Sequence, residues 1–325
     1  MRVFARIGLS TLTALITIAW WDHLALEPYG VGVITHYLLV AALLAFAFFV
    51  AQIGWRLANK QPLGFAKSGT YWSLANGIVI AALSLPVFAQ AAPEASDTSA
   101  SRTLSIVTAN LWNNSDAIDS FLAYVQAEEP DILFVQEAYE PWRSEFATAL
   151  PDYTRAAGCF YAHNCNAVIY SKTNVLVEVE GDGSGYVAAR LSVPGEGEDF
   201  EFLAISVHLS RGKRRQKSAQ LAVLREAINS SDVPVLLAGD FNLTPWDKRL
   251  QTLIEETDLK RFSGLSPTWP TPSRVEDFAG VKSEFPGVVI DHVFADPIVF
   301  KSIASSRFDF GSDHYAVTVQ LQHSE

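Results

Sequence analysis

Pro234-Val-Leu-Leu-Ala-Gly-Asp-Phe-Asn242 is an apolar run that stops abruptly at an acid and an amide. A short run of aliphatic residues closed by Gly, Asp or Asn reads as a buried strand. Asp240 and Asn242 then stand where that strand ends. The same pattern recurs on both sides of it. Strands are expected at residues 103–109, 131–136, 166–171, 186–193, 200–208, 234–239, 288–295 and 315–321. Helices are expected at 115–129, 139–150, 212–230 and 246–257. Eight strands with a few helices predict an α+β domain of two packed sheets flanked by helices. No internal repeat is visible in the sequence.

Polar residues of a restricted set punctuate these strands. Asn110 closes the first (TANLW), Glu137 the second (DILFVQE) and His208 a later one (LAISVHLS). Asp291 lies inside VVIDHVFA, and Asp313 and His314 precede the last strand in GSDHYAV. Singly, each reads as a turn former, a helix cap or a structural histidine. Together they supply what phosphoryl chemistry on a hard metal requires. Glu, Asp and Asn oxygens suit Mg²⁺, Mn²⁺ or Ca²⁺ rather than zinc. Two histidines supply proton transfer or hydrogen bonds to a developing phosphorane.

The order NLW, QE, VHL, GDFN, IDHVF and SDHYAV resembles the endonuclease/exonuclease/phosphatase superfamily across residues 104–322. That group includes pancreatic-type deoxyribonuclease, exonuclease III-type repair enzymes, neutral sphingomyelinase and inositol polyphosphate 5-phosphatases. GDFN and SDH carry the resemblance most specifically, and Thr268-Trp-Pro270 adds to it. The resemblance implies a four-layer α/β/β/α sandwich and hydrolysis of phosphoric esters with a divalent cation, Mg²⁺ first among them. By position it makes Glu137 the principal metal ligand, with Asn110 beside metal and phosphate and Asp313 near the metal. It makes Asp240 the group that orients or deprotonates water, and Asn242 its phosphate-positioning partner. His208 and His314 become the catalytic histidines, and Asp291 the carboxylate that orients His314. Arg190 is a candidate phosphate contact, with a surface salt bridge as its alternative.

The chain outside this region has another character. Residues 1–100 contain nine charged side chains. Residues 33–55 and 68–93 carry no formal charge, and 7–21 form a shorter apolar run. Three transmembrane spans are expected, at about 4–24, 33–55 and 69–92, since a crossing takes about 20 apolar residues. Residues 93–102 read as a linker and 103–325 as the catalytic domain. Arg2 and Arg6 precede the first span, and Arg56, Lys60 and Lys67 lie between the second and third. The positive-inside rule puts those segments in the cytoplasm and the catalytic domain outside it, in the periplasm of a bacterium. Ala89-Gln90-Ala91 also resembles a signal-peptidase site, so cleavage after Ala91 is an alternative. A disulfide between Cys159 and Cys165 would suit an oxidising compartment.

Net charge is −11 for 325 residues, and residues 101–325 hold 19 of the 24 Lys/Arg against 31 of the 35 Asp/Glu. Such a domain is a poor sequence-independent nucleic-acid binder. Arg211, Lys213, Arg214, Arg215 and Lys217 form a local exception. They read as a solvated helical turn or as contacts to a phosphate-rich substrate or lipid headgroup. The substrate is then a phosphoester: a phospholipid headgroup, a small phosphodiester, or nucleic acid met by an extracytoplasmic nuclease. A non-catalytic membrane protein that retains the fold is the reading of another class. No obligate protein partner is implied.

Overall fold

The computed structural model describes residues 8–9, 11–14, 16, 35–90, 103–112, 115–139, 142–158, 166–179, 184–195, 198–211, 214–280, 282–284 and 287–323. The expected Cys159–Cys165 disulfide and the cleavage position at Ala91 lie outside them.

The chain divides into two compact units, Met1–Ala89 with Pro245–Gln251, and Gln90–Thr244 with Thr252–Glu325. In the first unit, α1 spans Thr35–Ala58 and α2 spans Gly64–Gln90. Among the described residues one helical stretch, Tyr37–Ala58, is long and apolar enough to cross a membrane. Of the three expected spans, this one is met by a helix among the described residues. The third expected span is helical within α2, where Thr70, Ser73 and Asn76 stand among the apolar residues. Two of these polar residues, Ser73 and Asn76, are buried, and the Asn76 amide donates to Thr13 Oγ1 at 3.1 Å. The first expected span lies largely outside the described residues.

Among the described residues the second unit holds twelve strands in two six-stranded sheets. They are β1 (Thr103–Asn110), β2 (Ile132–Gln136), β3 (Thr154–Gly158), β4 (Ala167–Ser171), β5 (Asn174–Val179) and β6 (Tyr186–Val193), then β7 (Phe200–His208), β8 (Val235–Asp240), β9 (Lys260–Arg261), β10 (Asp291–Ala295), β11 (Phe300–Phe308) and β12 (Ala316–His323). Five further helices accompany them: α3 (Ile118–Glu128), α4 (Trp142–Ala149), α5 (Arg214–Asn229), α6 (Lys248–Thr257) and α7 (Pro272–Ala279). The first sheet runs β11-β12-β1-β2-β4-β3, and the second β5-β6-β7-β8-β10-β9.

Each sheet is built around one parallel pair, β1/β2 or β7/β8, with antiparallel strands on both sides. A helix crosses over within each pair, α3 in one and α5 in the other, as parallel neighbours require. The two sheets therefore share one topology, a repeat that the sequence does not reveal.

Side chains alternate across the strands with a period of two. On β1, β2, β7 and β8 the even-numbered residues face the space between the sheets. Leu104, Ile106, Ile132, Phe134, Phe202, Ala204, Leu236 and Ala238 fill it as one buried cluster. The odd-numbered Val107, Ala109, Leu133 and Val135 pack instead with Phe121, Trp142 and Phe146 of α3 and α4. Higher along the inner face the residues turn polar. The Gln136 amide bridges the sheets, donating to Ser206 Oγ at 3.2 Å and meeting Thr108 Oγ1 at 3.4 Å. At the strand ends the same face delivers Asn110, His208 and Asp240. Thus the inner face grades from hydrocarbon through neutral polar groups to acids and bases.

Candidate active site

The carboxyl ends of both parallel pairs meet at one place, the usual position for a ligand crevice in such sheets. The Asn110 amide donates to Glu137 Oε1 at 3.2 Å and to Asp240 Oδ2 at 3.1 Å, joining the first sheet to the second. Its carbonyl oxygen accepts the Trp112 backbone N–H at 2.9 Å, which fixes the amide's orientation. Asn110 thus presents N–H groups to the carboxylates of both sheets.

Asp240 is buried and heavily bonded. Its Oδ1 accepts the Asn242 backbone N–H at 2.8 Å, and its Oδ2 accepts the Asn242 side-chain amide at 3.0 Å. Burial raises its pKa, against the lowering influence of the His314 charge. The His208 Nε2 stands 3.5 Å from Glu137 Oε1 and 3.9 Å from Asp240 Oδ2.

On the far side, His314 Nδ1 lies 3.0 and 3.2 Å from the two oxygens of Asp291, so Nδ1 carries the donated hydrogen. Its Nε2 points back to Asp240 Oδ2 and Asp313 Oδ1, each at 3.9 Å. Burial alone would lower the His314 pKa. Asp291, through charge and hydrogen bond, outweighs it together with Asp240 and Asp313 and pushes it up to about 10. The imidazole is therefore charged at neutral pH.

Three site-bordering residues adopt left-handed backbone: Trp112 (φ 50°), Glu137 (φ 56°) and Asn242 (φ 50°). They are half of the six non-glycine residues with positive φ among those described. Asn tolerates this conformation, but for Trp and Glu it is strained by about 1–2 kcal/mol. Gly239 (φ 144°) is obligatory for another reason. A Cβ there would stand 2.0 Å from the Val207 carbonyl oxygen, so only glycine lets β8 pair with β7 one residue before Asp240.

Several supporting residues lie within sequence features already singled out, but their roles are not legible there. Lys217 is buried, and its ammonium donates to the Asn242 carbonyl at 2.6 Å. It thus leaves the basic cluster in which composition placed it. Thr268 Oγ1 accepts the backbone N–H groups of Ile290 and Asp291 at 3.0 and 3.1 Å, and its carbonyl accepts Tyr315 N–H at 2.8 Å. One residue thereby aligns both members of the Asp291–His314 pair. The Trp269 indole donates to Asp313 Oδ2 at 3.0 Å. Ser312 Oγ donates to the Asn110 carbonyl at 2.7 Å and ties the last loop to β1.

Arg190 stands apart. Its guanidinium bonds Glu201 at 2.9 Å and Asp232 at 3.1 Å, and it pairs in register with Leu203, five residues before His208. The salt-bridge alternative describes it, and the expected phosphate contact is corrected. Arg211 does border the site: it lies 5.0 Å over the Trp269 ring. Lys213 lies outside the described residues.

Two sets of oxygen donors fit a cation. Asp240, Asp291 and His314 bring ligand atoms within 4.8 Å of one another. Glu137 and Asp313 form the other set, and Asp313 Oδ1 is buried with no hydrogen-bond partner among the described residues. In this second set Asp313 Oδ1 is the open acceptor, since Glu137 Oε1 takes the Asn110 amide and Asp313 Oδ2 the Trp269 indole. In the first, both Asp240 oxygens accept hydrogen bonds and Nδ1 is engaged by Asp291.

The sequence profile described as the Endonuclease/Exonuclease/phosphatase family matches residues 107–314. The chain belongs to this family. Its members are metal-dependent hydrolases of phosphoric esters, and the chain is such an enzyme by membership. Solved family structures share the fold at low identity. One from Bacteroides thetaiotaomicron is 16% identical, covering 70% of this chain and 100% of that one with a TM-score of 0.54. One from Bacteroides vulgatus is 15% identical, covering 69% and 100%, at 0.55. A mannosyl-6-phosphatase of B. thetaiotaomicron is 17% identical, covering 67% and 99%, at 0.52. Comparison with curated proteins yields no match.

Proposed function

We propose that the protein is a membrane-anchored phosphodiesterase that works with a divalent cation, foremost Mg²⁺, on the extracytoplasmic side of a bacterial membrane. The observation that carries the catalytic part is the convergence of Glu137, His208, Asp240, Asn242, Asp291 and His314 at the facing ends of two sheets.

Glu137 and Asp313 would hold the cation, which suits the unpartnered Asp313 oxygen and the hard oxygen donors. A cation there would polarise a phosphoryl oxygen and offset charge on the leaving oxygen. Asp240 has the position and the raised proton affinity to accept a proton from attacking water. Asn242 and Asn110 hold Asp240 in place through three side-chain and backbone N–H groups. His314, kept charged by Asp291, stabilises the extra negative charge of a phosphorane and is poised to protonate a leaving oxygen. His208 stands opposite as a second hydrogen-bond donor.

The anchor rests on Tyr37–Ala58, and the outward orientation on Arg56, Lys60 and Lys67, which stand between it and a further crossing along α2. Under this reading residues 1–92 form the membrane region, 93–102 a linker and 103–325 the catalytic domain. Lipid headgroups, small diesters and extracellular nucleic acid all come within reach of such a domain. A phosphomonoester remains within the family's scope, as the mannosyl-6-phosphatase neighbour illustrates.

The test is hydrolysis of bis(p-nitrophenyl) phosphate by the detergent-extracted chain with Mg²⁺, Mn²⁺ or Ca²⁺. Glu137→Ala and His314→Ala are each expected to lose at least ~100-fold in rate. Near-normal metal-dependent turnover in either variant overturns the assignment.

A further inference from the structure

Two tryptophans flank the catalytic cluster, and each is bonded to a member of it. The Trp112 backbone N–H donates to Asn110 Oδ1 at 2.9 Å, and the Trp269 indole donates to Asp313 Oδ2 at 3.0 Å. Each ring carries an arginine on its face: Arg274 lies 4.8 Å over Trp112, and Arg211 lies 5.0 Å over Trp269. The arginines come from different elements, Arg211 from the loop after β7 and Arg274 from α7.

Cation–π pairs are common, about one per 70–80 residues, so their presence alone means little. Placement distinguishes these two. The pair of Arg307 with Tyr315 is locked by Glu284 at 2.8 Å, and that of Lys172 with Tyr153 involves no member of the catalytic cluster. At the site, Arg211 makes no ion pair among the described residues. Arg274 meets only the exposed Asp277, at 3.5 Å, a contact of little strength. Each guanidinium is thus set over a ring beside the site, and neither is locked by a close ion pair among the described residues. Trp112 is held in left-handed backbone, an unfavourable conformation for a bulky residue, and the residue remains 38% exposed. Strain of this kind gathers at functional sites.

Charge supplies the reason for such a rim. Glu137, Asp240, Asp291 and Asp313 gather four carboxylates around two imidazoles. Four carboxylates in one cluster repel any anionic group beyond the one held at the centre. Further anionic groups on a substrate would meet an acidic domain unless the rim answered them. Planar guanidinium forks match phosphate oxygens in two-point geometry.

We propose that Arg211 and Arg274, mounted on Trp269 and Trp112, receive a second phosphoryl group of the substrate beside the scissile one. The preferred substrate class is then a phosphoester with two phosphoryl groups on one small molecule. This inference rests on the phosphoesterase reading above.

The experiment compares two probes with the full chain and Mg²⁺: thymidine 5′-(p-nitrophenyl phosphate), and the same compound bearing a 3′-phosphate. Wild type is expected to favour the 3′-phosphorylated probe in kcat/KM by about tenfold to a hundredfold, the value of one charge-assisted hydrogen bond. The preference should appear in KM. R211A and R274A should each lower that ratio, and the double variant should abolish it. R211K and R274K should restore it in part, because charge returns without the planar fork. Equal turnover of the two probes by wild type overturns the inference and leaves the phosphoesterase reading standing. An unchanged ratio in both alanine variants does the same. No metal-dependent turnover of either probe removes both.

Discussion

His314 Nδ1 sits 3.0 Å from Asp291 Oδ2, and this one contact sets both the direction and the charge of the imidazole. Nδ1 donates to Asp291, so Nε2 faces Asp240 and Asp313, and the proton it carries is stabilised by three carboxylates.

Asp291→Asn should therefore do more than slow the reaction. A drop of about 100-fold in kcat is expected, the scale of a lost proton-transfer group. The pH profile separates this from a general disturbance. With His314 pushed up to about 10, its protonated form persists through neutral pH in the wild type. Removing the Asp291 charge lowers that pKa, so activity should fall at lower pH on the alkaline side. An alkaline limb in the same place as wild type would refute the pairing's role.

Lys217 donates to the Asn242 carbonyl from a buried position. Lys217→Met should lower stability by about 1.5–3 kcal/mol, as for a hydrogen bond to a charged group. It should also reduce kcat more than it raises KM, since Asn242 and Asp240 are held as a unit. Lys217→Arg should recover part of both. Steady-state kinetics with thermal unfolding of the same preparations would decide.

Gly239→Ala places a methyl group against the Val207 backbone at a φ of 144°. β8 cannot then keep its distance from β7. A stability loss of about 3 kcal/mol or more is expected, together with inactivity, because Asp240 is the next residue. A variant with unchanged melting temperature would contradict the close approach.

His292 gives a stability rather than a rate prediction. Burial, aided by the Arg261 charge, lowers its pKa to about 3, while Nε2 bonds the Leu243 carbonyl at 2.8 Å. Between pH 6.5 and 3 the unfolded chain binds a proton here and the folded chain does not. Stability is full above about 6.5 and is lost as pH falls, by up to about 1.4 kcal/mol per unit. His292→Gln should remove this component, so the wild-type and variant difference should change with pH only below 6.5. A difference that is flat through that window would show that His292 is protonated in the fold.

The strands that carry chemistry were legible because each ends an apolar run with a residue that belongs neither in a core nor in an ordinary turn. Asn110, His208 and Asp240 stand at the ends of β1, β7 and β8, with Glu137 one residue beyond β2. Strands without such a run were not legible. β11 (FKSIASSRF) is largely exposed and polar, and β3 (TRAAG) is made of small residues at a sheet edge. The cluster from Arg211 to Lys217 illustrates another limit. Charge spacing along a helix does not say which member turns inward, and Lys217 does because the Asn242 carbonyl awaits it. Arg190 was ambiguous because a lone cation in a strand has no direction until its neighbours Glu201 and Asp232 are known.

The Gln136 amide spans from the first sheet to Ser206 of the second, one layer beneath the bridge from Asn110 to Asp240. Together they act as a pair of rivets between two topologically equal halves. Sliding one sheet over the other by a single strand residue, about 3.3 Å, would part Asn110 from Asp240 and dissolve the site while leaving each sheet internally bonded. Catalysis in this protein is then a readout of alignment between halves, and it should fail before secondary structure does.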